Sequence, residues 1–85
     1  MSYPVAIIQD RYGGAYSGGG WLAVAEADAL TGHGQMRALY VLDDGPSGGD
    51  CDAMMFWQQP PEWIAAGVTP DDALRALRAK EKAKP

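Results

Sequence analysis

The chain has 85 residues, enough for one modest core, because a chain of this size buries only about 60–65% of the surface that its unfolded form exposes. Hydrophobic residues make up 47% and charged residues 21%, which is ordinary for a globular domain and excludes a disordered, highly charged chain. A net charge of −4 disfavours direct nucleic-acid binding by the main body. We predict a single compact domain over residues 1–80 and a fraying basic tail over residues 81–85.

Charge is unevenly distributed along the sequence. Residues 1–72 carry ten acidic and two basic side chains, whereas residues 73–85 carry five basic and one acidic side chain. The predicted body of the domain is therefore strongly acidic, and the basic groups are concentrated in its last segment.

Cysteine content and hydropathy indicate whether the protein is secreted, inserted in a membrane or cytoplasmic. Cys51 is the only cysteine, so no intramolecular disulfide can form, whereas secreted domains of this size normally carry several. The first residues lack the basic and apolar regions of a signal peptide, and no 18 uncharged apolar residues follow one another. We expect a cytoplasmic protein without export or membrane insertion.

Three strands are predicted in the first half of the chain. Residues 4–9 form an apolar, β-branched run, and the glycine-rich segment 12–20 forms a turn or extended loop. Residues 21–28 are compatible with helix or strand, and we predict a strand. Residues 36–42 supply the third strand, so that short reversals would join an antiparallel meander.

The last third of the sequence is predicted to be helical. Asp50 is a plausible N-cap for a short helix through Trp57, and residues 61–66 can form another that Gly67 ends. Thr69 as N-cap, with proline at the first helical position, predicts a final helix from Pro70 to about Lys82. The expected fold is α+β, a three-stranded antiparallel sheet packed by two or three C-terminal helices.

We find no residue pattern for catalysis, for a cofactor or for a metal. The glycine-rich segment lacks the lysine and hydroxyl residue of a phosphate-binding loop. Ser17 lacks a nucleophile elbow, and His33, between two glycines, is expected to be an exposed turn residue. Aspartates on both sides of Cys51 do not favour the thiolate that a cysteine nucleophile needs, so we expect no enzyme.

Aromatic and methionine side chains gather around Pro60 and Pro61. Large aromatic side chains usually cap a thin core, and the same residue types are common in protein interfaces. We therefore predict that Met55, Trp57 and Trp63 cap the core, form an apolar interface, or do both.

An acidic stretch is the sharpest functional candidate. Residues 43–52 place four carboxylates within ten residues, with no basic side chain among them. Such a run is compatible with a solvated loop, or with an array that imitates phosphates and occupies a basic groove on another protein. The predicted partner-binding residues are Asp43, Asp44, Asp50 and Asp52, joined by Glu26 and Asp28.

Two segments together resemble the HicB-like antitoxins. Residues 3–10 (YPVAIIQD) run into residues 13–16 (GGAY), and residues 67–74 read GVTPDDAL. In that family a strand of the first kind is paired with a helix that begins G-x-T-x-x-E-A-L. The resemblance implies an antitoxin that binds and neutralises a small toxin.

A second resemblance is to small inhibitors of host defence. Residues 12–22 (YGGAYSGGGWL) are similar to the Y-N-x-G-x-x-x-G-x-W segment of ArdA antirestriction proteins. Small size, acidity and a single compact domain also resemble many phage-encoded type I anti-CRISPR proteins. The resemblance implies a non-enzymatic DNA mimic that binds the basic nucleic-acid surface of a CRISPR Cascade or restriction complex.

We take the inhibitor as the leading functional hypothesis, with the HicB-like antitoxin as an alternative. A third hypothesis is a homo-oligomeric interaction module that uses the predicted apolar interface. We expect a protein partner with a basic surface, no membrane partner, no cofactor, and a monomer or weak homodimer.

Overall fold

A computed structural model describes residues 3–32 and 34–83 as three strands and three α-helices. The strands are β1 (Ala6–Gln9), β2 (Trp21–Val24) and β3 (Ile64–Gly67), and the helices are α1 (Arg37–Asp43), α2 (Asp50–Gln58) and α3 (Pro70–Ala83). A single 3-10 turn at Gly45–Ser47 joins α1 to α2. The predicted α+β class, with a three-stranded antiparallel sheet and a C-terminal helix, is confirmed.

The sheet has the order β1-β2-β3, and helices cover both of its faces. Leu22 and Val24 of the central strand point to the side of α1 and α2, where they pack with Val41 in one fully buried cluster. Ala23 points to the other side, where Ala73 and Leu77 of α3 cover it. Helix α3 therefore lies on the face of the sheet opposite to α1 and α2.

The predicted third strand at residues 36–42 is wrong, because this segment forms α1. The buried and half-buried positions lie three or four residues apart, at Arg37, Ala38, Tyr40 and Val41, whereas Leu39 and Leu42 are exposed. That spacing is helical rather than alternating. A short apolar run does not reveal which period applies until the surface that it packs against is known.

The predicted helix at residues 61–66 is also wrong, because Ile64–Gly67 forms β3. Ile64 belongs to the cluster beneath α1 and α2, and Ala65 belongs to the cluster beneath α3. A strand that is covered on both faces shows no polar alternation, so its alanines favoured helix in the sequence. Consequently α1 and α2 precede the last strand instead of following the whole sheet.

Strand β2 ends earlier than the predicted range 21–28. The chain turns after Val24, and Glu26 adopts a φ of 47°, which is incompatible with a continuing strand. The Ala27 amide donates to the Pro4 carbonyl at 2.8 Å, so this turn folds back onto the beginning of β1.

The helix ends agree closely with the sequence. Helix α2 begins one residue earlier than expected, with Gly49 rather than Asp50 as N-cap and Asp50 in its first turn. For α3 the predicted cap is confirmed, since the Asp72 amide donates to the Thr69 hydroxyl at 3.1 Å. The helix runs to Ala83; His33, Lys84 and Pro85 lie outside the described residues.

Candidate protein-binding surface

Four predicted partner-binding residues lie on one corner of the molecule, which we call the acidic corner. Asp43 and Asp44 end α1, and Asp50 and Asp52 lie in the first turn of α2. All four residues are exposed. The short connection through Gly45–Ser47 keeps the two pairs on the same part of the surface.

The loop between β1 and β2 holds the acidic corner in place. The Arg11 guanidinium donates to the Ser47 carbonyl at 2.8 Å and to the Gly48 carbonyl at 3.3 Å. The Tyr12 hydroxyl also donates to the Gly48 carbonyl. Arg11 therefore binds backbone carbonyls of the corner, and Tyr12 contacts both a corner carbonyl and the Asp50 side chain.

Asp10 organises this loop from within. The residue is 5% exposed, and its carboxylate accepts hydrogen bonds from the Gly14 amide at 2.7 Å and the Ser17 hydroxyl at 2.9 Å. The Tyr12 amide donates to the same carboxylate at 3.4 Å. The glycine-rich loop thus wraps around an anion that belongs to its own chain. Sequence reasoning missed this role, although aspartate side chains at the start of a turn commonly accept hydrogen bonds from the backbone amides that follow.

A groove of about 630 Å³ opens beside the acidic corner, between α1 and α2. Tyr40 and Phe56 line it with ring centroids 6.3 Å apart, and Asp44, Asp52 and Met55 lie on its rim and walls. Burial raises the pKa of Tyr40, and the carboxylates of Asp44 and Asp52 raise it further. The groove therefore combines an aromatic surface with negative potential.

Neutralising Asp44 and Asp52 together should lower the pKa of Tyr40 toward its ordinary value of 10.0. Because folding raises this pKa, the neutral phenol contributes stability below pH 10 that is lost as the pH rises through the folded-state value. An NMR titration of ¹³C-labelled tyrosine in Asp44→Asn/Asp52→Asn measures the change. Asp43→Asn is the matched control, and an equal change there would show that the two carboxylates do not face Tyr40.

Tyr12 is a second tyrosine whose pKa responds to the charges of the acidic corner, at the end where Asp50 lies. Partial burial raises the pKa of Tyr12, Arg11 opposes that change, and Asp50 adds to it. Asp50 therefore lies near the phenol whose hydroxyl bonds the corner.

Ion pairing leaves the acidic corner unneutralised. Among residues 3–32 and 34–83, the two ion pairs join Arg37 to Glu26 and Arg75 to Asp72, each at 3.6 Å. None of the four corner aspartates takes part in either pair. Surface carboxylates without a cationic partner project negative potential into solvent.

The structure separates Glu26 and Asp28 from the other predicted residues. Both lie in the turn after β2, which bonds to Pro4 before β1, whereas Arg11 after β1 holds the acidic corner. Glu26 is in addition engaged by Arg37, whose guanidinium also donates to the Ala25 carbonyl at 2.8 Å. These two acids lie at the opposite end of β1.

The three predicted apolar interface residues do not form one exposed patch. Met55 is 67% exposed on the groove, whereas Trp57 and Trp63 are half-buried against the core. The Trp63 ring lies 5.0 Å below the Arg37 guanidinium, a cation–π contact. Other exposed apolar side chains on α1 and α2, which the sequence did not single out, are Leu39, Leu42 and Met54.

The remaining candidate residues are Cys51 and Ser17. Cys51 is exposed, and the Ser17 hydroxyl bonds Asp10 and the Gly19 carbonyl. In the part of the chain that the structure describes, no three His, Cys, Asp or Glu side chains are grouped to hold a metal ion. Across the same residues, none of the helices has the length and apolarity needed to cross a membrane.

Fold and surface together define a small α+β domain whose main exposed feature is an acidic corner beside an aromatic groove. Comparison with known protein families, with curated proteins and with solved structures finds no match to this chain.

Proposed function

We propose that this protein is a non-enzymatic inhibitor that uses its acidic corner to occupy a basic, nucleic-acid-binding surface of a host defence complex. CRISPR Cascade and restriction complexes are the candidate targets. The observation that carries the proposal is the exposure of four aspartates, on one corner, without an ion pair among the described residues.

The arrangement of opposite charges supports this proposal. Arg75, Arg78 and Lys82 are exposed on α3, which packs on the sheet face opposite to α1 and α2. Helix α3 carries four basic and three acidic side chains, so a basic surface is attracted more strongly to the acidic corner, which orients an approaching partner.

The spread of the carboxylates supports a macromolecular partner rather than an ion. The corner residues stand at the ends of two helices instead of converging on one point, and the described residues offer no metal-binding group. Carboxylates distributed over a surface suit several separate basic side chains, as phosphates along a backbone do.

Apolar groups beside the acids supply a second source of affinity. Met55 is exposed on the groove that Asp44 and Asp52 border. Methionine adapts its shape to a partner, and buried apolar area adds free energy that charge pairs at the rim of an interface do not.

Removing two corner charges should weaken binding on the order of tenfold and flatten its dependence on salt, because attraction between exposed charges is screened by ions. We would titrate purified Cascade and type I restriction complexes with Asp43→Asn/Asp52→Asn at several salt concentrations. The matched control is Asp71→Asn/Glu81→Gln, which removes the same charge from exposed positions on α3. Equal binding by the two variants, or unchanged inhibition, contradicts the proposal.

A HicB-like antitoxin is the second candidate, and the junction between β3 and α3 favours it. Gly67 ends a strand, and Thr69 caps the helix that follows, as the resemblance implies. This candidate requires a stable complex with a small toxin encoded next to this chain. Co-purification of the two proteins, together with rescue of growth, would support it over the inhibitor.

A further inference from the structure

One edge of the sheet is open. The Asp10 amide donates to the Gly20 carbonyl, and Ile8 lies opposite Leu22 in the register of β1 and β2. Asp10, Ile8 and Ala6 are therefore the residues whose backbone groups point toward β2. Because bonding pairs alternate in an antiparallel ladder, Ile7 and Gln9 direct their backbone groups away from β2. Among the described residues, nothing outside the sheet is hydrogen-bonded to those groups.

The other edge is protected. The Ala25 amide donates to the Trp63 carbonyl, so the outward backbone groups of β3 belong to Ile64 and Ala66. The Lys80 ammonium donates to the Ile64 carbonyl at 2.7 Å. Lys80 reaches this edge from α3, and its charge opposes pairing with another chain because it would have to be displaced and desolvated. Among the described strands, β1 therefore presents the edge to which no charged side chain is bound.

We propose that β1 pairs antiparallel with β1 of a second copy of this chain, which joins the two sheets into one. The two-fold axis would pass beside Ile8, and Ile7 of each copy would face Gln9 of the other. Each of these residues would then exchange its outward N–H and C=O groups with a backbone of the second copy. Pairing of this kind needs no other segment or partner protein, since the hydrogen-bonding groups of the edge are complementary to themselves.

Side chains along β1 favour a second copy in this orientation. Ile7 is 40% exposed although it lies, like its cross-strand partner Ala23, on the face of the sheet that α3 covers, and Ile8 of each copy would meet at the axis. Exposed Arg11 follows β1, so antiparallel pairing places it opposite the uncharged residue Val5. Parallel pairing would instead bring Arg11 beside Arg11 of the second copy, and like charges at that distance repel.

The acidic corners also favour antiparallel pairing. Each corner is bound by Arg11 and Tyr12, directly after β1. A two-fold axis beside Ile8 sends the two corners to opposite ends of the joined sheet. Two acidic surfaces are thereby kept apart, and a dimer would present both of them to a partner.

Sedimentation of the full chain over a dilution series tests this dimer. We expect a concentration-dependent dimer whose dissociation constant rises by about tenfold or more in Ile7→Lys, since a charged side chain on the edge opposes pairing. Val68→Lys is the matched control, because Val68 is 73% exposed at the beginning of α3 and away from β1. It should dimerise as the unmodified chain does.

Hydrogen exchange of the unmodified chain gives an independent measurement. The amides of Ile7 and Gln9 should exchange more slowly as protein concentration rises, whereas exchange at the amide of Val68 should not change. A monomer at every concentration overturns the proposal. So does a dimer in which these two amides exchange at a constant rate, whatever the behaviour of Ile7→Lys.

Discussion

Gly67→Ala should lower the free energy of unfolding by about 3 kcal/mol or more, because the added Cβ atom would overlap the backbone at the start of α3. A Cβ atom on Gly67 would lie 2.2 Å from the Ala73 nitrogen and 2.5 Å from the Asp72 carbonyl carbon. Backbone cannot rotate away as a flexible side chain can, so the start of α3 would have to move off β3. Urea denaturation followed by circular dichroism measures the loss.

Gly32→Ala provides the control for that experiment. A Cβ atom on Gly32 would meet nothing within 4 Å, so we expect a change within about 0.5 kcal/mol. If both variants lost the same stability, the effect would belong to glycine in general and not to the contact between β3 and α3. The total stability of a domain is only about 5–15 kcal/mol, which makes the expected difference easy to resolve.

Asp10→Ala should cost about 3 kcal/mol and loosen the glycine-rich loop, since the variant leaves buried donors without their charged acceptor. The Gly14 amide and the Ser17 hydroxyl lose hydrogen bonds of 2.7 and 2.9 Å. Denaturation gives the stability, and hydrogen exchange at the Gly14 amide reports whether the loop has opened.

The loss of Asp10 should also reach the acidic corner, although Asp10 itself is buried. Arg11 and Tyr12 hold the corner through Ser47 and Gly48, and both follow Asp10 in the same loop. Asp28→Ala is the matched control, because it removes an exposed acid from another turn and should change stability by less than about 0.5 kcal/mol. A stable Asp10→Ala variant with a slowly exchanging Gly14 would show that the carboxylate does not organise the loop.

Two surfaces emerge that can be tested separately. The acidic corner lies on the helices α1 and α2, whereas the open edge is a property of β1. Loss of corner charge should weaken partner binding without changing the oligomeric state. A charge on the edge of β1 should weaken dimerisation and leave the binding of the acidic corner to a partner in place. Each proposal can therefore fail without the other.

Local sequence determined the elements whose signals are contained in a few neighbouring residues. The Thr69 cap and Pro70 fixed the start of α3, because capping depends only on backbone groups within one helical turn. Residues 4–9 predicted β1 through a β-branched run. The acidic corner was also visible, since its four residues are near one another in the chain and remain so after folding.

Tertiary structure alone decided which short apolar segment completes the sheet. Residues 36–42 and 61–67 are both compatible with helix and strand, and their states depend on what lies above and below them. Val41 is buried as part of a helix over the sheet, and Ile64 is buried as part of the sheet itself. Similarly, the bonds from Asp10 to its loop, and the distance between Glu26 and the acidic corner, follow from the path of the whole chain. Contacts between residues far apart in sequence carry this information, and a local pattern does not contain it.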